Sequence, residues 1–318
     1  MSKHYCGPLE VDLQSYDEEL RARCVEILDL FSSPWKGPFR KINMTLKRGI
    51  SSETVGGTFL NCGRMTVDVG KHEILATTTD GVSARADLHG NVDEWQITVP
   101  QTDVTRTMAI DLEHSIELAL TTGWRLEGWV PVHAGAVQKN GQCAILCAPS
   151  NGGKSTLVAS LLRNGWRTLG DDKLLLRQRN GVTDLVALHD VLNLHPETQH
   201  RFVGEVYSLP QYSAASEKRR VPIERIAGGA ALQSARPTHI VQIARKQERS
   251  GVEMIALAER EAAIILLRQI VVPNDRTIAA AILQTVMKAA STLKPLCMNI
   301  GSGAYEDSRW IKRFEDAF

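Results

Sequence analysis

The sequence predicts an α/β protein with two domains, a small β-rich α+β domain at residues 1–103 and a larger α/β domain at residues 104–318. Two observations carry this prediction. Short alternating runs such as Met65–Val69 lie between Gly and Asp turns from Ile42 to Val99, which is typical of β-strands. After residue 103, apolar runs alternate with helical patterns, and one of these junctions holds a glycine-containing loop.

Composition limits the classes of partner. The chain has 318 residues, 43% apolar and 23% charged, so it can bury a substantial core. Its 37 basic and 36 acidic residues give a net charge of +1, which favours neither nucleic acid nor an anionic membrane surface. The six cysteines are scattered without zinc-site spacing, and the start lacks a signal-peptide pattern. We therefore expect a soluble cytoplasmic protein that binds no nucleic acid and no membrane.

The N-terminal domain contains one clear helical pattern. Ser15 and Glu18 have the spacing of a capping box. The apolar residues that follow recur at helical intervals, and they are Leu20, Cys24, Ile27, Leu28 and Phe31. No motif in this domain points to chemistry.

Helices and strands of the second domain follow from apolar spacing. A helix is predicted over Met108–Thr122 with Gly123 as its stop, followed by a strand over Trp129–Val137. A hairpin is predicted over Lys173–Leu188, because Asn180-Gly181 suits a tight turn. A second hairpin is predicted from the runs Ile240–Ile243 and Met254–Leu257, followed by C-terminal helices.

The glycine-containing loop carries the strongest functional signal. The apolar run Gly141-Gln-Cys-Ala-Ile-Leu-Cys-Ala148 predicts a buried strand that leads into Ala148-Pro-Ser-Asn-Gly-Gly-Lys-Ser155, a phosphate-loop pattern with Ala at the first Gly position. Glycines let backbone N–H groups turn toward an anion, and the following helix adds its positive N-terminal end. We therefore predict a site for a nucleoside triphosphate with Mg²⁺ made of these residues: Ser150, Asn151, Gly152, Gly153, Lys154, Ser155 and Thr156.

The roles of the loop residues follow from phosphate chemistry. Lys154 supplies a positive charge for the β- and γ-phosphates, and the Ser155 hydroxyl can ligate Mg²⁺. The sequence contains neither the Asn-Lys-x-Asp motif of GTPases nor the Leu-Ser-Gly-Gly-Gln stretch of transporter ATPases. Instead, an acidic pair, Asp171-Asp172, follows Lys154 by 17 and 18 positions.

Three elements together resemble the HPr serine kinase family. They are His133-Ala-Gly-Ala, the phosphate loop with Lys154 21 positions later, and Gly165-Trp-Arg-Thr-Leu-Gly-Asp-Asp172. The resemblance implies a phosphoenolpyruvate-carboxykinase-like P-loop kinase domain with a mixed sheet. It also implies that Asp171 accepts the proton of an attacking hydroxyl, that Asp172 helps to hold Mg²⁺, and that His133 tunes the acids. The strong match covers residues 133–172.

The residues also permit structural interpretations. Asp171-Asp172 fit a turn before the predicted hairpin, and His133 fits a hydrogen-bonded histidine on a buried strand. The sequence departs from the family as well. HPr kinases carry a glycine-rich stretch beginning Glu-x-Arg-Gly after the acidic pair, whereas the corresponding residues here are Leu192-Asn-Leu-His-Pro-Glu197-Thr. This departure argues against a phosphorylase activity and against HPr as the substrate.

Additional basic residues offer contacts for phosphates. The polar stretch Tyr212-Ser-Ala-Ala-Ser-Glu-Lys-Arg-Arg220 suggests a mobile lid that closes Lys218, Arg219 and Arg220 over an anion, although a solvated surface loop has the same pattern. Arg236 and Arg245 are two further phosphate-binding candidates that the sequence does not rank.

The leading functional hypothesis is a kinase that moves the γ-phosphoryl group of ATP to a hydroxyl group. The acceptor would be a serine in a protein or peptide, or a small hydroxylated metabolite. A nucleotide-binding regulatory module without an acceptor is the alternative, and a metabolic carboxykinase is disfavoured because those enzymes are longer and carry further metal ligands. HPr kinases form rings, so the resemblance also suggests self-association.

Overall fold

The chain is a mixed α/β protein in a computed structural model that describes residues 2–32, 35, 37, 39–50, 58–62, 64–69, 73–89, 92–149, 151–204, 209, 216–273, 275–304 and 309–318. It divides into two compact units, the first mainly residues 2–129 and the second mainly residues 130–318.

The described strands of the first unit form one eight-stranded sheet, accompanied by two helices. In chain order, its elements are β1 (Ser2–Cys6), β2 (Leu9–Ser15), α1 (Glu18–Asp29), β3 (Arg40–Arg48), β4 (Thr58–Cys62), β5 (Met65–Val69), β6 (Glu73–Thr78), β7 (Ser83–His89), β8 (Val92–Val99) and α2 (Arg106–Leu126).

The strand order of this sheet is β1-β2-β3-β8-β7-β6-β5-β4. The central pairs β2–β3 and β3–β8 are parallel, and α1 connects β2 to β3. The outer pairs are antiparallel. The predicted β-rich α+β character of this part of the chain is therefore confirmed, including the strand at Met65–Val69.

The first helix begins differently from the prediction. The carboxylate of Asp17 accepts a hydrogen bond from the Leu20 backbone N–H at 2.9 Å, so Asp17 is the N-cap. Ser15 lies two residues earlier, and its hydroxyl accepts from the Asp17 N–H at 3.2 Å. The capping box of Ser15 and Glu18 is therefore wrong, because an Asx cap nearer the helix satisfies its first N–H groups. The apolar spacing is confirmed, since Leu20 and Leu28 are buried.

The second helix continues through its predicted stop. Gly123 lies inside α2, and a Cβ built there would be 2.9 Å from the Ile42 Cδ1 atom and 3.1 Å from the Leu9 Cδ2 atom. This glycine therefore allows close packing on the sheet rather than ending the helix. The structural division falls after Trp129, so α2 belongs to the first compact unit, whereas the boundary predicted at residue 103 precedes this helix.

The second unit contains twelve of the described strands and the remaining described helices. Its elements are β9 (Val130–Val132), β10 (Gly135–Lys139), β11 (Gln142–Cys147), α3 (Lys154–Leu162), β12 (Arg167–Gly170), β13 (Leu174–Arg179), β14 (Val182–Ala187), β15 (Val191–Leu194), α4 (Pro196–Val203), β16 (Arg219–Pro222), α5 (Ile223–Ile226), β17 (Ser234–Ala235), β18 (His239–Ser250), β19 (Val252–Ala256), α6 (Glu261–Leu267), α7 (Arg276–Ala290), β20 (Lys294–Ser302) and α8 (Arg309–Glu315).

Its largest sheet is mixed, with the order β12-β10-β11-β18-β20-β19 among the described strands. β11 pairs in parallel with β18, and β18 pairs in parallel with β20, whereas the other pairs are antiparallel. The hairpin predicted from Ile240–Ile243 and Met254–Leu257 is wrong. The C-terminal strand β20 lies between β18 and β19, and its insertion is a long-range pairing that local spacing does not encode.

A four-stranded sheet, in the order β17-β14-β13-β9, confirms the other predicted hairpin. Asn180 and Gly181 have φ angles of 52° and 77°, as a tight turn of mirror-image type requires. The single strand predicted over Trp129–Val137 is wrong. It is split into β9 and β10, which lie in different sheets, and residues 133 and 134 connect them.

Two separate apolar clusters form the interior of the second unit. One includes the buried side of α3 together with residues of α8, and the other includes residues of α6, α7 and the four-stranded sheet. Residues of both β11 and α3 belong to these clusters, and their packing holds the loop between the strand and the helix in place. Within the described part of the chain, no helix is long and apolar enough to cross a membrane.

A substitution at Gly123 tests the close packing of α2. We expect Gly123→Val to lower the free energy of unfolding by about 1–3 kcal/mol, because the added atoms overlap Ile42 and Leu9. The matched control is His114→Val at an exposed position of the same helix, which should change stability by less than about 0.5 kcal/mol. Urea unfolding followed by circular dichroism measures both, and equal stabilities would contradict the packing role.

Candidate functional site

The phosphate loop has the backbone shape of an anion-binding turn. It connects the end of β11 to the start of α3, and Asn151 and Gly153 have left-handed φ angles of 59° and 92°. The Gly152 N–H donates to the Pro149 carbonyl at 2.9 Å, and a Cβ at Gly152 would lie 2.9 Å from that same oxygen. Gly153 is the N-cap of α3 and provides no side-chain cap, so the first N–H groups of the helix can serve an anion.

Lys154 places a buried ammonium group behind this loop. The residue is only 7% exposed, and its Nζ atom donates to the His133 carbonyl at 3.2 Å. Burial lowers the pKa of Lys154, whereas the charges of Asp172 and Asp171 act in the opposite direction. The lysine is therefore a weakly hydrated cation whose charge is balanced by the acidic pair.

The acidic pair is positioned by the end of β12. The Thr168 hydroxyl donates to the Ala136 carbonyl at 2.7 Å and accepts from the Gly170 N–H at 3.0 Å. Gly170 has a φ angle of 115°, which turns the chain out of the strand. A Cβ at Gly135 would lie 3.1 Å from the Gly170 carbonyl oxygen, so a side chain there would push the turn that carries the pair by a few tenths of an ångström.

Asp171 is a buried carboxyl group with an elevated pKa. It is 1% exposed, and its Oδ1 atom accepts from the Asn193 N–H at 3.1 Å. Its Oδ2 atom is buried and has no hydrogen-bond partner among the described residues. Burial and then the charge of Asp172 raise its pKa to about 6, against the opposing effects of Ser155, Asn193 and Lys154. Such a group is ionised at neutral pH yet basic enough to accept a proton.

Asp172 is paired with a half-exposed histidine. The His133 Nδ1 atom lies 3.0 Å from the Asp172 Oδ1 atom. The backbone N–H of His133 donates to the Gln269 carbonyl at 2.9 Å, which fixes the connection between β9 and β10. His189 is buried nearby. Its Nδ1 atom lies 3.1 Å from the Val191 carbonyl, and burial lowers its pKa to about 4, so it is neutral at pH 7.

Two contacts connect the loop segment to the start of α4. The Asn151 Oδ1 atom lies 3.2 Å from the His195 Nε2 atom, and the hydroxyls of Thr156 and Thr198 are 3.3 Å apart. His195, Thr198 and Asn193 had no signal in the sequence, because their roles depend on β15 and α4 folding over the loop.

One cavity of about 580 Å³ brings together most of the predicted site. Its lining includes the predicted residues His133, Asn151, Gly152, Gly153, Lys154, Ser155, Thr156, Asp171, Asp172 and Lys218. Ser150, which was also predicted to bind nucleotide, lies outside the described residues. The remaining lining residues are Pro149, His195, Pro196, Glu197, Thr198, Glu217 and Arg245.

Some of the basic residues predicted to bind phosphate line the cavity, and others lie elsewhere. Arg219 and Arg220 lie in β16, paired with β15, and of the three basic residues assigned to the predicted lid, Lys218 lines the cavity. Arg245 also lines it, with its Nη2 atom 3.4 Å from the position of a Cβ at Gly153. Arg236 is exposed and lies 3.7 Å from Asp184. Of the two arginines that the sequence does not rank, Arg245 lines the cavity and Arg236 does not.

The oxygen donors of the cavity fit Mg²⁺. Ser155 offers a hydroxyl and Asp172 a carboxylate. The described residues contain no cluster of three His, Cys, Asp or Glu side chains that would form a complete protein cage. Mg²⁺ typically takes one or two carboxylates together with substrate phosphates, so this donor set suits it.

Comparisons with known proteins give little support for a family. No protein-family model and no curated protein sequence matches the chain. One similar solved structure is the HPr(Ser) kinase/phosphatase from Coxiella burnetii, at 13% identity and a TM-score of 0.29. The match covers 49% of this chain and 93% of that chain. A likeness this weak carries no argument, so the function must be inferred from the site itself.

The pKa of Asp171 predicts a pH-dependent stability. Between about pH 4 and 6 the unfolded carboxyl is ionised while the folded one still holds its proton, so stability falls as pH rises through this window. Asp171→Asn removes this effect. We expect the stability of the wild type relative to the variant to fall by about 3 kcal/mol between pH 4 and 7.

Urea unfolding in EDTA without nucleotide measures this difference. Subtracting the variant from the wild type cancels the titrating groups that do not interact with Asp171. A difference that is constant, or that rises with pH, would contradict the buried and elevated state of Asp171.

Proposed function

We propose that this chain is an ATP- and Mg²⁺-dependent kinase that transfers the γ-phosphoryl group to a hydroxyl acceptor. One observation carries the proposal. The phosphate loop with its buried Lys154 and the buried carboxyl of Asp171 line the same cavity. A nucleotide-binding turn needs only the first of these features, whereas phosphoryl transfer also needs a base beside the phosphate.

The phosphate-binding groups have complementary positions. The N–H groups at the start of α3 would hold the phosphates, and Lys154 and Arg245 would neutralise their charge from two sides of Gly153. Ser155 and Asp172 would hold Mg²⁺, which screens the negative charge of the phosphates when it is bound. The contact between His133 and Asp172 would hold that carboxylate in a fixed orientation.

In the proposed transfer step, Asp171 receives the proton of the acceptor hydroxyl. The acceptor hydroxyl attacks the γ-phosphorus, and a new O–P bond forms as the bond to the β,γ-bridging oxygen breaks. ADP leaves with that electron pair, and the hydroxyl proton moves to Asp171. A carboxylate with a pKa of about 6 can accept the proton and release it to solvent at neutral pH. Positioning and charge stabilisation would supply most of the rate acceleration.

The fold assignment belongs to the same proposal. The second unit would be a phosphoenolpyruvate-carboxykinase-like P-loop kinase domain, with the mixed sheet β12-β10-β11-β18-β20-β19 as its centre. The acidic pair at the end of β12, the strand that follows the loop helix, supports this assignment. The acceptor class would be a serine of a peptide or protein, or a small hydroxylated metabolite, and the chain could self-associate as the ring-forming kinases do.

Transfer from γ-labelled ATP tests the proposal. With Mg²⁺ and a mixture of serine-containing peptides and small hydroxylated compounds, we expect label on an acceptor. Lys154→Ala and Asp171→Asn should each lower the transfer rate by about a hundredfold or more, because they remove phosphate neutralisation and the base. Arg236→Ala, which changes an exposed arginine outside the cavity, is the matched control and should retain the wild-type rate.

Binding measurements distinguish the kinase from a nucleotide-binding regulatory module without an acceptor. Asp171→Asn should bind MgATP about as well as the wild type, whereas Lys154→Ala should bind it more weakly. Tight binding with no label on any acceptor, and no change on Asp171→Asn, would instead identify a nucleotide-binding regulatory module.

A further inference from the structure

A second, smaller cavity adjoins the phosphate loop on the side of His133. It has a volume of about 220 Å³ and shares Pro149 with the larger cavity. Its apolar walls come from Ala148, Pro149 and the buried Ile265 of α6. A cavity of this size suits a compact organic molecule rather than a folded protein segment.

Three polar side chains complete this cavity. They are Gln242 on β18, and Arg268 and Gln269 directly after α6. Within the described part of the chain, these three side chains make no hydrogen bond or ion pair. An apolar cavity edged by a few polar groups without protein partners is the usual form of a small-molecule site.

The position of the cavity relates it to the reacting groups. The Gln269 carbonyl accepts from the His133 N–H at 2.9 Å, and the His133 ring lies 3.0 Å from Asp172. The His133 carbonyl in turn accepts from Lys154 at 3.2 Å. The small cavity therefore adjoins the acidic end of the phosphate site, where an acceptor hydroxyl must approach. The γ-phosphate of ATP would occupy this acidic end, so the nucleoside would extend away from it.

We propose that this cavity binds the phosphoryl acceptor, and that the acceptor is a small hydroxylated compound carrying an anionic group. Arg268 would pair with the anion, since a guanidinium group binds carboxylate or phosphate through two parallel hydrogen bonds. Gln242 and Gln269 would form hydrogen bonds with the other polar groups of the acceptor. The hydroxyl would point past Pro149 toward the γ-phosphate and give its proton to Asp171. This inference rests on the proposed kinase activity.

Matched pairs of anionic and neutral alcohols test the acceptor class. The probes are lactate against propane-1,2-diol and glycerate against glycerol, with a serine-containing peptide as a separate arm, each with γ-labelled ATP and Mg²⁺. We expect label on at least one of the two acids and none on the neutral alcohols. Label on the peptide alone, or on no probe although MgATP binds, overturns the inference.

Substitutions at Arg268 test the location of the site. Arg268→Ala should raise the KM for the labelled acid about tenfold to a hundredfold, as loss of a charge-assisted pair predicts, while the affinity for MgATP stays unchanged. Arg268→Lys should recover part of the loss. Arg236→Ala is the control at another exposed arginine and should leave the KM unchanged. An unchanged KM in Arg268→Ala overturns the assignment.

A failure of this inference can be told apart from a failure of the kinase proposal. If MgATP does not bind, or if binding is equal in the wild type and Lys154→Ala, the kinase proposal itself fails. If MgATP binds through Lys154 and label reaches the peptide alone, the kinase proposal stands and the small-acid site is wrong. If label reaches no acceptor other than water, the kinase proposal fails as well.

Discussion

The central constraint of this structure is the burial of Lys154 together with Asp171 and Asp172. An isolated charge in the interior would be strongly unfavourable, and a lone buried lysine or aspartate would lose its charge. Here each charge lowers the desolvation penalty of the other. The opposing shifts that the acids and the lysine impose on each other's pKa show this mutual dependence. The arrangement holds only while three separate segments of the chain stay in register.

Those segments are the loop after β11, the turn after β12, and the connection from β9 to β10. The antiparallel pairing of β10 with both β11 and β12 brings all three to one end of the sheet. Side-chain and backbone bonds then fix the details, such as the Thr168 hydroxyl bonded to both strands and the Asn193 N–H bonded to Asp171. The site is therefore a property of the mixed sheet and not of the loop alone.

Local patterns in the sequence were sufficient for the features that depend on neighbouring residues. The strand and the helix that flank the Ala148–Ser155 loop, and the Asn180-Gly181 turn, have strong local signatures, and the structure contains them. The errors arose where distant contacts decide. Gly123 resembled a helix stop because the sequence does not show Leu9 and Ile42 packed against it. The insertion of β20 between β18 and β19, and the approach of Arg245 to Gly153, likewise depend on pairings across long stretches of chain.

Gly135 shows how a residue can matter without meeting a substrate. It faces the Gly170 carbonyl, the Asp171 Cα atom and a methyl group of Val158, each within 3.3 Å of where its Cβ would be. Even one methyl group there would have to displace the turn that carries the acids or the helix that carries the lysine. In a saturation-mutagenesis survey of activity, Gly135 would therefore be as intolerant as the charged residues themselves. The space left by its missing side chain sets the spacing between Asp171 and Lys154.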